Sequence, residues 1–223
     1  MSLYPSLVRR LEEEKIAEVV ALPEEWVQTA IRDTLGETQL DAYLSERGWT
    51  EADLRTQVVL AESLRRFSEQ RFGPGVEEQF LSSRGAYDTI IYSLIRSRDH
   101  ALIRELWIRI EEGETSFAEA AKAFGEGPEA IRMGLIGPLP IGQLAPPQFA
   151  DFLRGLQPGS ISPPKRLGDW SLLLRLEELK PACFDAEMRS KLVRASLDEF
   201  LERRVRKRLA GESLETLTYH QDP

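Results

Sequence analysis

The sequence predicts an α+β chain in which a helical domain is interrupted by a small mixed unit. Three observations carry this. Residues 6–84 read as one amphipathic helix after another, with apolar residues at helical spacing and Gly or Pro at the breaks. The stretch that follows holds two runs rich in β-branched, aromatic or alternating apolar residues, YDTIIYSLI and WSLLLRL, which read as strands around short helical segments. A long apolar helical stripe then returns after Asp185 with no helical neighbour beside it in sequence, so its partner is expected among the N-terminal helices.

The elements follow in order. Leu7, Leu11, Ile16, Val19 and Val20 stripe a first helix that Leu22-Pro23 ends, with Pro23 at the first turn of the next. Trp26, Val27, Ala30 and Ile31 stripe the second, closed by Gly36, and Thr38 is placed to cap a third that Gly48 stops. Thr50, with Glu51 and Asp53 in the first turn, is expected to cap a long fourth helix carrying Leu54, Val58, Ala61, Leu64 and Phe67 on one face. Gly73-Pro74-Gly75 breaks it, and Val76–Ser83 gives one more helix. After the strand from Tyr87 to Ile95 come a helix over 100–112, a short helix over 116–124, a Gly/Pro-punctuated loop, a short helix over 149–156 and a strand over 170–176. Asp185 is placed to cap the final helix, whose Met188, Leu192, Ala195, Leu197, Leu201, Val205 and Leu209 form the stripe that Gly211 ends. Residues 212–223 show no periodicity and are expected to be a flexible tail.

Composition narrows the function. With 223 residues, 42% hydrophobic and 30% charged, the chain is long enough for two modest cores. A net charge of −8 opposes general nucleic-acid binding, which needs a basic face against phosphates. One cysteine excludes an internal disulfide, and two histidines, His100 and His220, make no cluster at metal-ligand spacing. No cofactor and no metal are therefore expected. Charged residues interrupt the N-terminal apolar stripe and no run approaches a membrane span, so the chain as it stands is expected to be cytoplasmic, without membrane insertion. The run Arg203, Arg204, Arg206, Lys207, Arg208 reads first as the wet face and C-terminal charge of a helix, and second as a patch for acidic partners.

From Gly113 to Pro181 the chain reads GETSFAEAAKAFGEGPEA, then GLIGPLPIGQLAPPQFADFLRGLQPGSISPPKRLG, then DWSLLLRLEELKP. Phe117, Ala118, Glu119, Ala121, Glu126, Gly127, Pro128, Gly134, Gly137, Gly142, Gln143, Leu144, Phe149, Leu156, Pro158, Gly159, Ser162, Pro163, Leu176 and Glu177 fall in an order and at spacings that resemble the parvulin, or PpiC-type, family of peptidyl-prolyl isomerases. The whole order of elements is similar to the SurA-type and PrsA-type foldases. This implies an FKBP-like α+β domain over 86–182, inserted in a SurA-like helical chaperone domain made of 1–85 plus 185–211.

The resemblance also implies a site. In parvulins an apolar proline pocket is built by a leucine, a methionine and a phenylalanine, and those places here fall on Ile136, Leu144 and Phe149, with Gln143 beside them. The family's two strand histidines fall on Ser93 and on Leu172 or, with the register moved by one, Ser171; its cysteine or aspartate falls on Gly127 next to Glu126, and Leu135 stands where an aspartate is usual. The resemblance thus implies a parvulin-type isomerase or foldase with a degenerate catalytic centre, in which Ser93 is the candidate catalytic residue and Ile136, Gln143, Leu144, Phe149 and Leu172 bind substrate. The alternative is a catalytically inactive parvulin-fold chaperone or adaptor that binds extended polypeptide. Unfolded or proline-containing polypeptides are the implied partners. A further likeness to cyanobacterial parvulin-type proteins implies association with an export system.

Overall fold

The computed structural model describes residues 3–220; the last three residues of the expected tail lie outside the described residues. In chain order the helices α1 (Leu3–Val20), α2 (Glu24–Leu35), α3 (Leu40–Arg47), α4 (Glu51–Phe72) and α5 (Val76–Tyr87) come first. Strand β1 (Thr89–Ser97), helices α6 (His100–Glu111) and α7 (Phe117–Phe124), strand β2 (Leu135–Pro140) and helix α8 (Gln148–Arg154) follow. Strands β3 (Lys165–Leu167) and β4 (Trp170–Lys180) and helix α9 (Ala186–Leu209) complete the chain. It divides into two compact units, one of residues 1–80 and 184–223, the other of residues 81–183.

In the helical unit α1, α4 and α9 pack on one another through Ile16, Val20, Phe67, Leu197, Phe200 and Leu201, with α2 against α4. The stripe of α9 thus buries its face against helices more than a hundred residues earlier in the chain. Thr50 and Asp53 form a reciprocal capping box at the start of α4, and the Asp185 carboxylate accepts from the Met188 amide, 2.8 Å away, at the start of α9. Thr38 does not cap α3; Gln39 holds that position without a side-chain bond. Residues 212–220 form no helix or strand, yet Leu217 and Tyr219 pack against the core and the His220 amide donates to Gln70 Oε1 at 2.9 Å. A segment without periodicity can still be anchored by a few apolar and polar contacts.

At the centre of this unit lies a buried charge cluster. The Glu12 carboxylate on α1 has no solvent exposure and receives Arg204 Nε of α9 at 2.8 Å, Arg208 Nε at 2.6 Å and Lys15 Nζ at 3.2 Å. Burial pushes the Glu12 carboxyl up, but the hydrogen bonds from Arg204 and Lys15 outweigh it and hold the group below its ordinary 4.5.

The second unit is a four-stranded antiparallel sheet in the order β2-β1-β4-β3, with β1 and β4 central. Strand alternation divides its side chains into two cores. Ile90, Tyr92 and Leu94 of β1 and Leu172, Leu174 and Leu176 of β4 pack with Phe149, Ala150 and Leu153 of α8. Ile95 and Leu173 point the other way, onto α6 and α7 through Ile103, Leu106, Phe117 and Ala120. Ser116 and Glu119 cap α7 reciprocally, and Asp99 accepts from the Ala101 and Leu102 amides at the start of α6.

Strands β2 and β3 are additions to the sequence reading. β2 runs through LIGPLP, where Pro138 and Pro140 read as loop, but at the edge of the sheet the missing amide donors are tolerated. Gly134 and Gly137 let it approach β1. Both have positive φ, and a Cβ would stand 2.8 Å from the Leu94 carbonyl at the first and 2.6 Å from the Ile90 carbonyl at the second. β3 has three residues, too few for a periodic signal.

Candidate functional site

On the α8 side of the sheet a groove of about 760 Å³ opens between β1, β2, β4 and the chain leading into α8. Its walls are Tyr92 and Leu94 from β1, Ile136 and Leu139 from β2, Leu144 and Phe149 around α8, and Trp170 and Leu172 from β4. Phe149 meets the Tyr92 ring edge to face, with centroids 5.7 Å apart at 64°, and both side chains are nearly buried. A volume of this size with mostly apolar walls is what a small ring and its flanking backbone need.

The polar groups sit at a few places. Gln143 lies on the 3-10 turn Ile141–Gln143, and Glu129 on the turn Pro128–Arg132. Arg96 Nη2 donates to Glu129 Oε2 at 2.9 Å; its Nε also lies 2.8 Å from Oε1, out of line for a second hydrogen bond. The Trp170 indole is flanked by the guanidinium groups of Arg96 at 5.4 Å and Arg98 at 5.2 Å from the ring centre. Among the described residues the Tyr92 hydroxyl has no hydrogen-bond partner. Burial, with the charge of Glu129 added and that of Arg96 opposing, pushes its phenol up to about 12.

The groove brings together all five residues expected to bind substrate: Ile136, Gln143, Leu144, Phe149 and Leu172. Ser93 is not one of its walls. It lies one residue from Tyr92 and so on the opposite face of β1, 3% exposed, where its hydroxyl donates to Glu177. Between the pairs Ile91↔Glu178 and Tyr92↔Leu176 the register shifts, which leaves Glu177 as the extra residue of a bulge. Glu177 also accepts from Arg175 Nε at 2.8 Å, so Ser93 serves to hold that bulge. Glu126 is likewise engaged elsewhere: it accepts from the Ser97 hydroxyl, and from the Arg98 amide at 3.1 Å, which bends the chain from β1 toward α6. His100 pairs its Nδ1 with Ser171 Oγ at 3.2 Å and is not a wall of the groove.

Tyr92, Arg96, Glu129 and Trp170 are walls that motif matching did not single out. Three of the four were visible in alternation: Tyr92, Leu94 and Arg96 share a parity on β1, and Trp170 shares one with Leu172 on β4.

Comparison with known proteins places this geometry. Residues 96–169 match the profile of the Rotamase family, the PPIC-type PPIASE domain. The sheet unit carries a PPIC-type PPIase domain. The PPIC-type match starts inside β1 and ends just before β4, so it takes in the turn of Glu129, β2 and α8. Over most of its length the chain is similar in structure to the peptidylprolyl isomerase PrsA of Bacillus anthracis. The two are 17% identical, with 95% of this chain and all of that one covered at a TM-score of 0.51, which shows a shared fold. PrsA of Bacillus cereus matches at 17% identity over 95% of this chain and 83% of its own, TM-score 0.48. A SurA-like chaperone of Campylobacter jejuni matches at 13% over 88% of each, TM-score 0.41. No curated protein matches the sequence. Among the described residues no helix is long and apolar enough to cross a membrane, and no three His, Cys, Asp or Glu side chains group as metal ligands.

Proposed function

We propose that the groove of the PPIC-type domain binds the proline of an extended polypeptide and catalyses rotation about the preceding imide bond weakly, while the helical unit holds the unfolded client. The observation that carries this reading is the convergence of Ile136, Leu144, Phe149 and Leu172 on one concave apolar surface within the matched domain. Prolyl isomerisation breaks no bond and needs no cofactor. Its barrier is about 18–20 kcal/mol, set by the conjugation that keeps the imide planar. A dry pocket that grips the ring and removes water from the imide favours the twisted state, and an oriented donor adds to that.

Among the described residues no histidine lines the groove, and this supports the reduced activity. The groove's own polar candidate is the Tyr92 hydroxyl, a neutral donor close enough to Glu129 and Arg96 to feel their charges. The same observation favours a second reading, a binding module of parvulin fold that has given up catalysis.

Exchange spectroscopy on a short X-Pro peptide separates the two. Slow but measurable catalysis by the full chain, well below ordinary parvulin rates, supports the first reading. Exchange indistinguishable from the uncatalysed peptide, with binding retained, leaves the module. Absence of both binding and catalysis removes the groove as a proline site.

Phe149→Ala should weaken binding of a proline peptide by roughly 1–3 kcal/mol, since it removes one wall and a nearly buried aromatic contact. Calorimetric titration below the melting temperature of the variant checks this, and unchanged affinity would show that the proline ring sits elsewhere.

A further inference from the structure

The basic run of α9 does more than solvate a helix end. In the helical unit, the C-terminal turn of α4, the last three turns of α9 and the segment after it form a cavity of about 330 Å³. Arg71, Arg203, Arg204 and Lys207 face it from two helices, and Glu215 is its one carboxylate. Its floor is apolar, made by Phe72 and Phe200. The Arg71 guanidinium lies over the Phe200 ring at 4.8 Å and over Phe72 at 6.0 Å, and Arg204 lies over Phe200 at 5.5 Å.

The cations differ in how they are spent. Arg204 is engaged by buried Glu12 through Nε and donates Nη1 to the Glu215 carbonyl at 2.8 Å, which fixes the segment after α9 as one wall. Arg71 has Glu215 Oε2 at 3.7 Å, beyond hydrogen-bond reach, and that carboxylate is largely exposed. Arg203 and Lys207 have no carboxylate within ion-pair distance among the described residues. The helix dipole accounts for cations in the last turn of α9 on any face. It accounts equally for Arg71 in the last turn of α4, but not for Arg203, which lies before the last turn of α9, nor for the convergence of Arg71 and Arg204 over the Phe200 ring.

We propose that this cavity is a binding site for the carboxylate side chains of an acidic polypeptide segment, with Arg71, Arg203 and Lys207 as the charged contacts and the Phe72–Phe200 floor taking the aliphatic part. An apolar floor under guanidinium forks suits a carboxylate on a short hydrocarbon stem with apolar neighbours, whereas a free inorganic anion would leave the floor unused. The net charge of −8 repels such a segment from most of the surface and concentrates its attraction here. Glu215 acts as an internal competitor at the mouth.

The proposal is independent of proline binding, and its test contains no proline. A labelled short peptide of alternating Leu and Glu is titrated into the full chain by fluorescence anisotropy, beside the same peptide with Gln for Glu. The acidic peptide should bind at least about tenfold more tightly, and its affinity should fall steeply as salt rises to about 0.5 M. The double variant Arg203→Glu, Lys207→Glu, both outside the core, should lose that preference with an unchanged circular dichroism spectrum. Glu215→Gln should shift affinity the other way, because it removes the competitor. Equal binding of the Glu and Gln peptides, or a preference unchanged in the charge-reversed variant, overturns the site.

Discussion

Replacing Glu12 with Ala should lower the stability of the helical unit by about 3–5 kcal/mol, the cost of leaving a buried cation without its partner. Arg204 is the reason. Its side chain is 8% exposed, and Glu12 is its only carboxylate partner among the described residues, whereas Arg208 is 40% exposed and can turn to water. Glu12→Gln should cost nearly as much, because it keeps the shape and removes the charge. The paired change Glu12→Met, Arg204→Met should recover most of the loss, since two apolar side chains of similar volume replace an ion pair that is expensive to desolvate. The carboxyl sits below its unfolded value of 4.5, so its contribution is fully present above about that pH and is lost as pH falls through the lower, folded value. Urea unfolding followed by far-UV circular dichroism reads all three variants. A Glu12→Ala midpoint equal to the parent's would show that the cluster does not hold α1 to α9.

That cluster also marks where the sequence stopped being informative. The stripe on α9 and its need for a partner were legible, because burial of an apolar face repeats every three to four residues. The Glu12–Arg204 pair spans 192 positions and leaves no periodic trace. Arg204 reads in sequence as one of a run of five surface cations, and only packing shows that it is buried, that Arg208 shares its carboxylate, and that Arg203, Arg204 and Lys207 line a cavity. In the PPIC-type domain the outcome divides in the same way. Helices with caps and stripes, and the long strands β1 and β4, announce themselves through local rules. β2 is hidden by its prolines, and β3 by its length. Among site residues the apolar walls were carried by spacing along ordered motifs, which tolerates a shift of one residue on a helix or loop. On a strand it does not, since a shift of one turns a side chain from one core to the other. Ser93 and Tyr92 are that case.

Tyr92→Phe should reduce catalysed imide exchange by at least about tenfold, while Ser93→Ala leaves it nearly unchanged. The two residues adjoin, but only Tyr92 faces the groove; Ser93 is spent on Glu177 under the other face. Phenylalanine keeps the ring that packs on Phe149 and loses only the hydroxyl, so peptide affinity should hold within about twofold and the loss should appear in the turnover of bound peptide. The pH profile gives an independent sign. With its phenol pushed up to about 12, Tyr92 stays protonated and remains a donor throughout the range in which the protein is folded, so exchange should be flat from about pH 6 to 10. A histidine-dependent centre would instead bend near 6.5, where imidazole titrates. Exchange spectroscopy on the parent and the two variants, each across that range, decides between them. Full activity in Tyr92→Phe would reduce the groove to an apolar clamp, and loss of activity in Ser93→Ala with the fold intact would return the catalytic role to the far face of β1.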